Sequence, residues 1–221
     1  MKKMISLMIA LTFLLSAMAG IAYAESWYCE NCRTYRNSEW CPDCGARRPA
    51  TQSGSWPEMT LSGTGTSLRP FNDESKRHQS YFGPNSNYSG AGAYKPYKVI
   101  SATALFREGD YVLVDLSYQT VGRRCVYFKS SALSNAGGNY MTLTGHSATT
   151  TVSVQPKFGP GYEYDDVVKK NQSNGRTTTE NVVLGSGTWV NVFFETRGWV
   201  FAEFGSSLGT IRAWLPANTV R

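Results

Sequence analysis

The sequence predicts an all-β protein, organised as two tandem small barrels behind a short four-cysteine segment. Three observations carry that expectation. Runs such as YVLVDL (111–116) and TWVNVFF (188–194) have strand length and are rich in β-branched and aromatic residues. Turn signals, namely Gly-Pro-Asn at 83–85, Gly-Pro-Gly at 159–161 and Ser-Asn-Gly at 173–175, break these runs at short intervals. The second part of the chain also repeats the first, with its segments in the same order.

The chain opens with a basic Met-Lys-Lys-Met and an uncharged apolar run, ISLMIALTFLLSAMAGIA, ending at Ala22-Tyr23-Ala24. Small residues three and one before a cut at Glu25 make residues 1–24 an expected secretory signal peptide. No cysteine stands at the cut, so a lipid anchor is not indicated. No later run approaches the ~20 apolar residues of a membrane span. The mature chain is therefore expected to be secreted or extracytoplasmic, either released or held at the cell wall. Loss of Lys2 and Lys3 takes the formal charge from +6 to +4, enough for weak attraction to polyanionic surface polymers. It is not a nucleic-acid signature.

The next segment, 25–49, contains WYCENCRTYRNSEWCPDCGARRP (27–49). Cys29 and Cys32 form one Cys-x-x-Cys pair, and Cys41 and Cys44 another. Four thiolates can close a tetrahedron on structural Zn2+ and leave no open position for catalysis. Two disulfides across the pairs are the alternative that an oxidising compartment favours. Bridging within a pair would close only a tiny loop and gain little. Either way, a segment this short needs a cross-link, because it cannot bury a core of its own. The pattern resembles the short zinc ribbons at the front of many bacterial proteins. ATQSGSWPE (50–58) then reads as a flexible linker.

The repeat occupies 59–133 and 141–221. MTLSG (59–63) recurs as MTLTG (141–145), and FGPNSNY (82–88) as FGPGYEY (158–164). DYVLVDL (110–116) matches GWVFAEF (198–204) in pattern, and GRRCVYFKSSAL (122–133) aligns with GTIRAWLPANTV (209–220). Short strands of this kind hide their edges most economically in small closed or nearly closed barrels. NDESKRHQS (72–80) reads as a long solvated loop, and YDDVVKKNQ (164–172), the one stretch with helical spacing, is too short and uncapped to count as a helix.

The end of the second copy resembles the Src-homology-3 (SH3) family, in particular exported bacterial SH3-like domains. Gly198-Trp199-Val200-Phe201-Ala202 is similar to the family's Asp-Trp-Trp-x-Ala segment. Trp214-Leu215-Pro216-Ala217-Asn218-Thr219-Val220 is similar to its closing strand and turn. The first copy matches more loosely, with Tyr111 at the position of Trp199 and Lys129 at that of Pro216. The resemblance implies a shallow aromatic groove for extended peptides, walled by Trp199 and Pro216 in the second copy and by Tyr111 in the first. It extends, more weakly, to Tyr162 and Tyr164. Thr219 stands where the family has its closing Tyr, which argues against ordinary proline-motif recognition.

Strand alternation adds that Leu215 and Phe128 share one face while Trp214 and Tyr127 share the other. These last two rings either take ligand or pack against the linker or the neighbouring copy. Cys125 reads as a small semi-buried side chain, since neither His78 nor His146 has a context tying it to the thiol. The expected function is exported, non-enzymatic binding of cell-wall peptide or polymer, with two copies giving avidity. The alternative is an adaptor for another exported protein.

Overall fold

The computed structural model describes residues 27–29, 34–36, 56–67, 69–134, 137–173 and 176–221. The expected signal peptide and Cys32, Cys41 and Cys44 lie outside the described residues. The chain divides into two units, Met1–Ala50 and Thr51–Arg221. In the first, β1 (Trp27–Cys29) and β2 (Thr34–Arg36) pair antiparallel with Cys29 opposite Thr34, so the first Cys-x-x-Cys pair begins at the end of a hairpin strand.

The second unit is all-β, as the runs of β-branched and aromatic residues predict. Its strands are β3 (Thr64–Ser67), β4 (His78–Tyr81), β5 (Gly90–Tyr94), β6 (Val99–Glu108), β7 (Tyr111–Tyr118), β8 (Gly122–Lys129), β9 (Asn139–Tyr140) and β10 (His146–Thr149). They continue with β11 (Val168–Ser173), β12 (Arg176–Asn181), β13 (Trp189–Thr196), β14 (Trp199–Ser206) and β15 (Gly209–Pro216). One sheet runs β3-β6-β7-β8-β4-β5 with β9 added on β6, and a second runs β10-β13-β14-β15. β11 and β12 form a separate hairpin.

The duplication is visible element by element. β6, β7 and β8 make an antiparallel meander, and β13, β14 and β15 make the equivalent one. Each meander ends in a single 3-10 turn, Ser130–Ala132 after β8 and Ala217–Thr219 after β15. Gly122 and Gly209 open the equivalent last strands with φ of 76° and 89°, a region that glycine enters without steric cost.

Alternation along the meander strands divides their side chains between two cores. Val112, Val114, Val126 and Phe128 face inward in the first copy, as Val200, Ala202, Ala213 and Leu215 do in the second. The opposite faces carry Phe106, Leu113 and Tyr127 from one sheet and Phe194, Phe201 and Trp214 from the other. These rings meet between the sheets, with Phe106 lying 6.0 Å from Phe194 and 6.3 Å from Phe201, centroid to centroid. Both faces of the central strands are therefore buried, which is why YVLVDL reads as a nearly continuous apolar run rather than an alternating one.

The two copies also exchange segments. Met59 N–H donates to the Glu195 carbonyl of β13 at 2.8 Å, and Met141 N–H donates to the Arg107 carbonyl of β6 at 2.8 Å. Each Met-Thr-Leu segment therefore lies on the other copy's meander, and both pairings are parallel. The Phe-Gly-Pro loops do the same. Arg212 N–H donates to the Phe82 carbonyl at 3.0 Å, Cys125 N–H donates to the Phe158 carbonyl at 2.7 Å, and the two phenylalanine rings stack 5.2 Å apart. A Cβ on Gly83 would stand 2.3 Å from the Tyr88 ring, and one on Gly159 would stand 2.0 Å from the Tyr164 ring, so only glycine lets each loop fold back on its own tyrosine.

Two local expectations are corrected, and the stretch denied a helix finds its place. Trp56 packs against the core and Glu58 bridges to Glu195, so the end of the presumed linker is structured. His78 and Ser80 are buried in β4, where the His78 ring stacks on Phe71 at 4.2 Å. The loop read at 72–80 therefore ends in a strand. The stretch 164–172 runs into strand β11, because Val167 is drawn into the core and the backbone pairs with β12.

Candidate functional site

The structure places five of the seven aromatic and proline residues nominated for the groove inside the contact between the sheets. Trp199 is 6% exposed and Trp214 1%, and Tyr111, Tyr127 and Tyr164 are buried with them. Trp199 and Pro216 are cross-strand neighbours, as are Tyr111 and Lys129, so the residues that carry the resemblance do come together in register. They do not wall an open groove. Tyr162, 40% exposed, sits edge-on to Trp199 at 5.0 Å and, with Pro216, keeps the exposed share of that surface. The reason is the second copy: the face that alternation turns away from one core is the face on which the other sheet lands.

Cys125 is buried in the same layer, and burial pushes its thiol well above the ordinary range, so the nucleophilic thiolate is disfavoured. His146 is exposed on β10, and the buried His78 bonds the Asp73 carbonyl oxygen through Nε2 at 2.6 Å. Among the described residues no three His, Cys, Asp or Glu side chains gather as a metal site. Of the four expected zinc ligands, only the Cys29 backbone is described.

Two acid–arginine–tyrosine groups tie the halves together. Arg212 donates to Glu203 at 2.9 Å and to both Glu108 oxygens at 3.0 and 2.9 Å. Tyr88 also donates to Glu203, and Tyr127 to Glu108. In the equivalent place of the other half, Arg123 donates to Asp115 at 3.0 and 2.6 Å, and Tyr164 donates to Asp115 at 2.9 Å. Tyr88 and Tyr164 come from one copy's Phe-Gly-Pro loop and bond an acid of the other copy's meander, whereas Tyr127 on β8 bonds Glu108 of its own meander. Burial raises the phenols: Tyr88 is pushed up to about 12, with the Glu203 bond adding to the shift, and Tyr164 rises further. These groups serve the joint between the halves.

The candidate site lies elsewhere, in a pocket of about 420 Å³. Its wall is built from β5, the β7–β8 turn, Arg124 on β8, the start of β11, and Leu208 in the β14–β15 turn. Arg77, Lys95, Lys98, Arg124 and Lys170 border it, and Phe82, Tyr94, Val121, Phe158 and Leu208 supply apolar surface. Arg124 is held by Asp165 at 2.7 Å and lies over the Phe158 ring at 4.4 Å. Among the described residues, no carboxylate forms an ion pair with Arg77, Lys95, Lys98 or Lys170.

Tyr94 is 2% exposed, and among the described residues its hydroxyl makes no hydrogen bond of normal geometry, with Arg124 and Ser80 its nearest polar neighbours. The neighbouring Tyr118 hydroxyl, in contrast, accepts from the Lys95 N–H at 2.9 Å. Gly92, beside Tyr94, takes φ of 140°, a backbone conformation that side chains rarely adopt. Sequence reasoning missed this site because its cations are spread from residue 77 to residue 170 and no short motif joins them. The one available signal was the cluster of basic residues around the exposed Tyr97, which β5 and the following turn fold together. No family model, curated protein or solved structure matches the chain.

Proposed function

We propose that the chain is an exported, non-catalytic binding protein of the cell envelope, and that it takes cell-wall peptide or polymer at the basic pocket. The observation that carries this reading is the pocket itself, where four cations with no carboxylate partner among the described residues surround apolar surface and the buried Tyr94 phenol. Wall polymers and their peptides are rich in anionic groups, and a pocket of this size is typical of a site for one small moiety. In this reading the two halves are SH3-like barrels. The equivalent 3-10 turns and the Val220–Thr150 bridge that follows the second one support that resemblance. The ligand position has moved from the aromatic layer to the pocket, because the rings are occupied in holding the halves together.

The test is retention on purified cell wall. The mature chain should sediment with wall material, and Arg77→Glu/Lys98→Glu should release it while leaving thermal unfolding nearly unchanged. Equal retention of that variant would remove the pocket from the reading. An adaptor role has one observation in its favour, the exposed Trp189 ring on β13. Co-purification of one exported protein, lost on Trp189→Ala and independent of wall material, would establish that role instead.

The cysteine segment is read as a structural zinc ribbon. Its first pair opens at Cys29, the last residue of a strand that pairs with Thr34–Arg36, and a Cys-x-x-Cys spacing suits two sulfurs on one metal. Protein taken from its native compartment should carry one zinc per chain and release it on thiol titration. Metal-free protein with no titratable thiols at these positions would mean disulfides.

A further inference from the structure

We propose that the group recognised in the pocket is a carboxylate or phosphate carried on an apolar or aromatic body. The inference rests on the pocket being the ligand site. Four observations point to this ligand chemistry. The pocket carries an excess of positive charge, since only Arg124 of its five cations has a described carboxylate partner. A neutral ligand would displace water from those cations and return nothing for it. Apolar surface from Phe82, Phe158 and Leu208 lies within the same lining, and a simple inorganic anion would leave it unused.

The third observation is the Tyr94 hydroxyl. A buried donor without a partner is costly, and an anionic oxygen is the acceptor that satisfies it best. Burial raises this phenol above its ordinary range, with Arg124 opposing, so it stays protonated and able to donate at neutral pH. The fourth is Tyr97, 67% exposed beside Lys95, whose ammonium lies 5.5 Å from its ring. This exposed ring lies in the chain between Lys95 and Lys98 of the lining, and it offers a flat apolar face next to Lys95. Duplication does not account for these features, because Ile211 and Ser89 stand in the second arrangement where Arg124 and Asp165 stand here.

The experiment is titration calorimetry on the full mature chain with phenylacetate, phenyl phosphate and the neutral phenylacetamide. At least one anionic probe should bind at least tenfold more tightly than the amide, and the affinity should fall as salt rises. The comparison between the two anions identifies the head group. Tyr94→Phe, which keeps the ring, should weaken the anionic probe by about tenfold. Should that variant fail to fold, Lys98→Glu on the rim should weaken binding by a similar factor. Equal binding of the amide, or no binding of either anion, overturns the inference. So does undiminished affinity in a folded Tyr94→Phe or Lys98→Glu protein. Anionic binding without retention on the wall would leave this inference standing and remove the wall-binding reading. Retention on the wall without binding of either probe would do the reverse.

Discussion

Replacing Arg212 by alanine should destabilise the second unit by about 3–5 kcal/mol, read as a shift in the denaturant midpoint at unchanged slope. The guanidinium is the shared partner of Glu108 and Glu203, and the side chains of Arg212 and Glu108 are 10% and 12% exposed. Removing it leaves two carboxylates facing each other in a poorly solvated layer, with Tyr88 and Tyr127 as their remaining donors. The cost lies in the stranded charges more than in the lost pairing, so Glu108→Gln placed in the Arg212→Ala background should recover part of it. A midpoint unchanged by Arg212→Ala would show that water reaches these acids.

The same network sets an alkaline limit. The folded pKa of Tyr88 stands at about 12, against 10.0 for an ordinary phenol. Its contribution to stability is complete below pH 10 and is lost as pH rises through the interval up to the folded value. Alkaline unfolding should therefore steepen across that window, and Tyr88→Phe should flatten it.

Trp199→Ala should cost about 3–5 kcal/mol of stability, the range for truncating a buried aromatic, while leaving the affinity of the basic pocket for an anionic probe unchanged in the folded fraction. The indole belongs to the buried aromatic cluster that also holds Phe193, Phe194 and Phe201, and Tyr162 caps it edge-on. If Trp199 were a groove wall, the pattern would invert: ligand affinity would collapse and the denaturant midpoint would barely move. Thermal unfolding and calorimetry on one preparation separate the two outcomes. Preserved stability with lost binding would return the ligand to the surface that the SH3 resemblance implies.

Much of the architecture was legible in the residues. The four ordered matches marked equivalent elements, and the structure places those elements equivalently, down to the 3-10 turns after β8 and β15. Alternation correctly separated Leu215 and Phe128 from Trp214 and Tyr127. What a repeat does not encode is which copy a segment serves. Met59 and Met141 are equivalent positions whether each lies on its own meander or on the other's, and nothing local distinguishes the two. For the same reason a face that alternation turns outward reads as available surface until a second sheet is set against it. The pocket was hidden differently, because its charges come from four separate segments and converge only through tertiary packing.

The reciprocal seating of the Met-Thr-Leu and Phe-Gly-Pro segments bears on how the protein withstands a cut in its backbone. A protease that severs the connection between the halves does not free them, because each fragment still clasps its neighbour by backbone pairing and by a tyrosine-to-carboxylate bond. Nicking and dissociation become separate events. The cut molecule remains whole until both clasps open together.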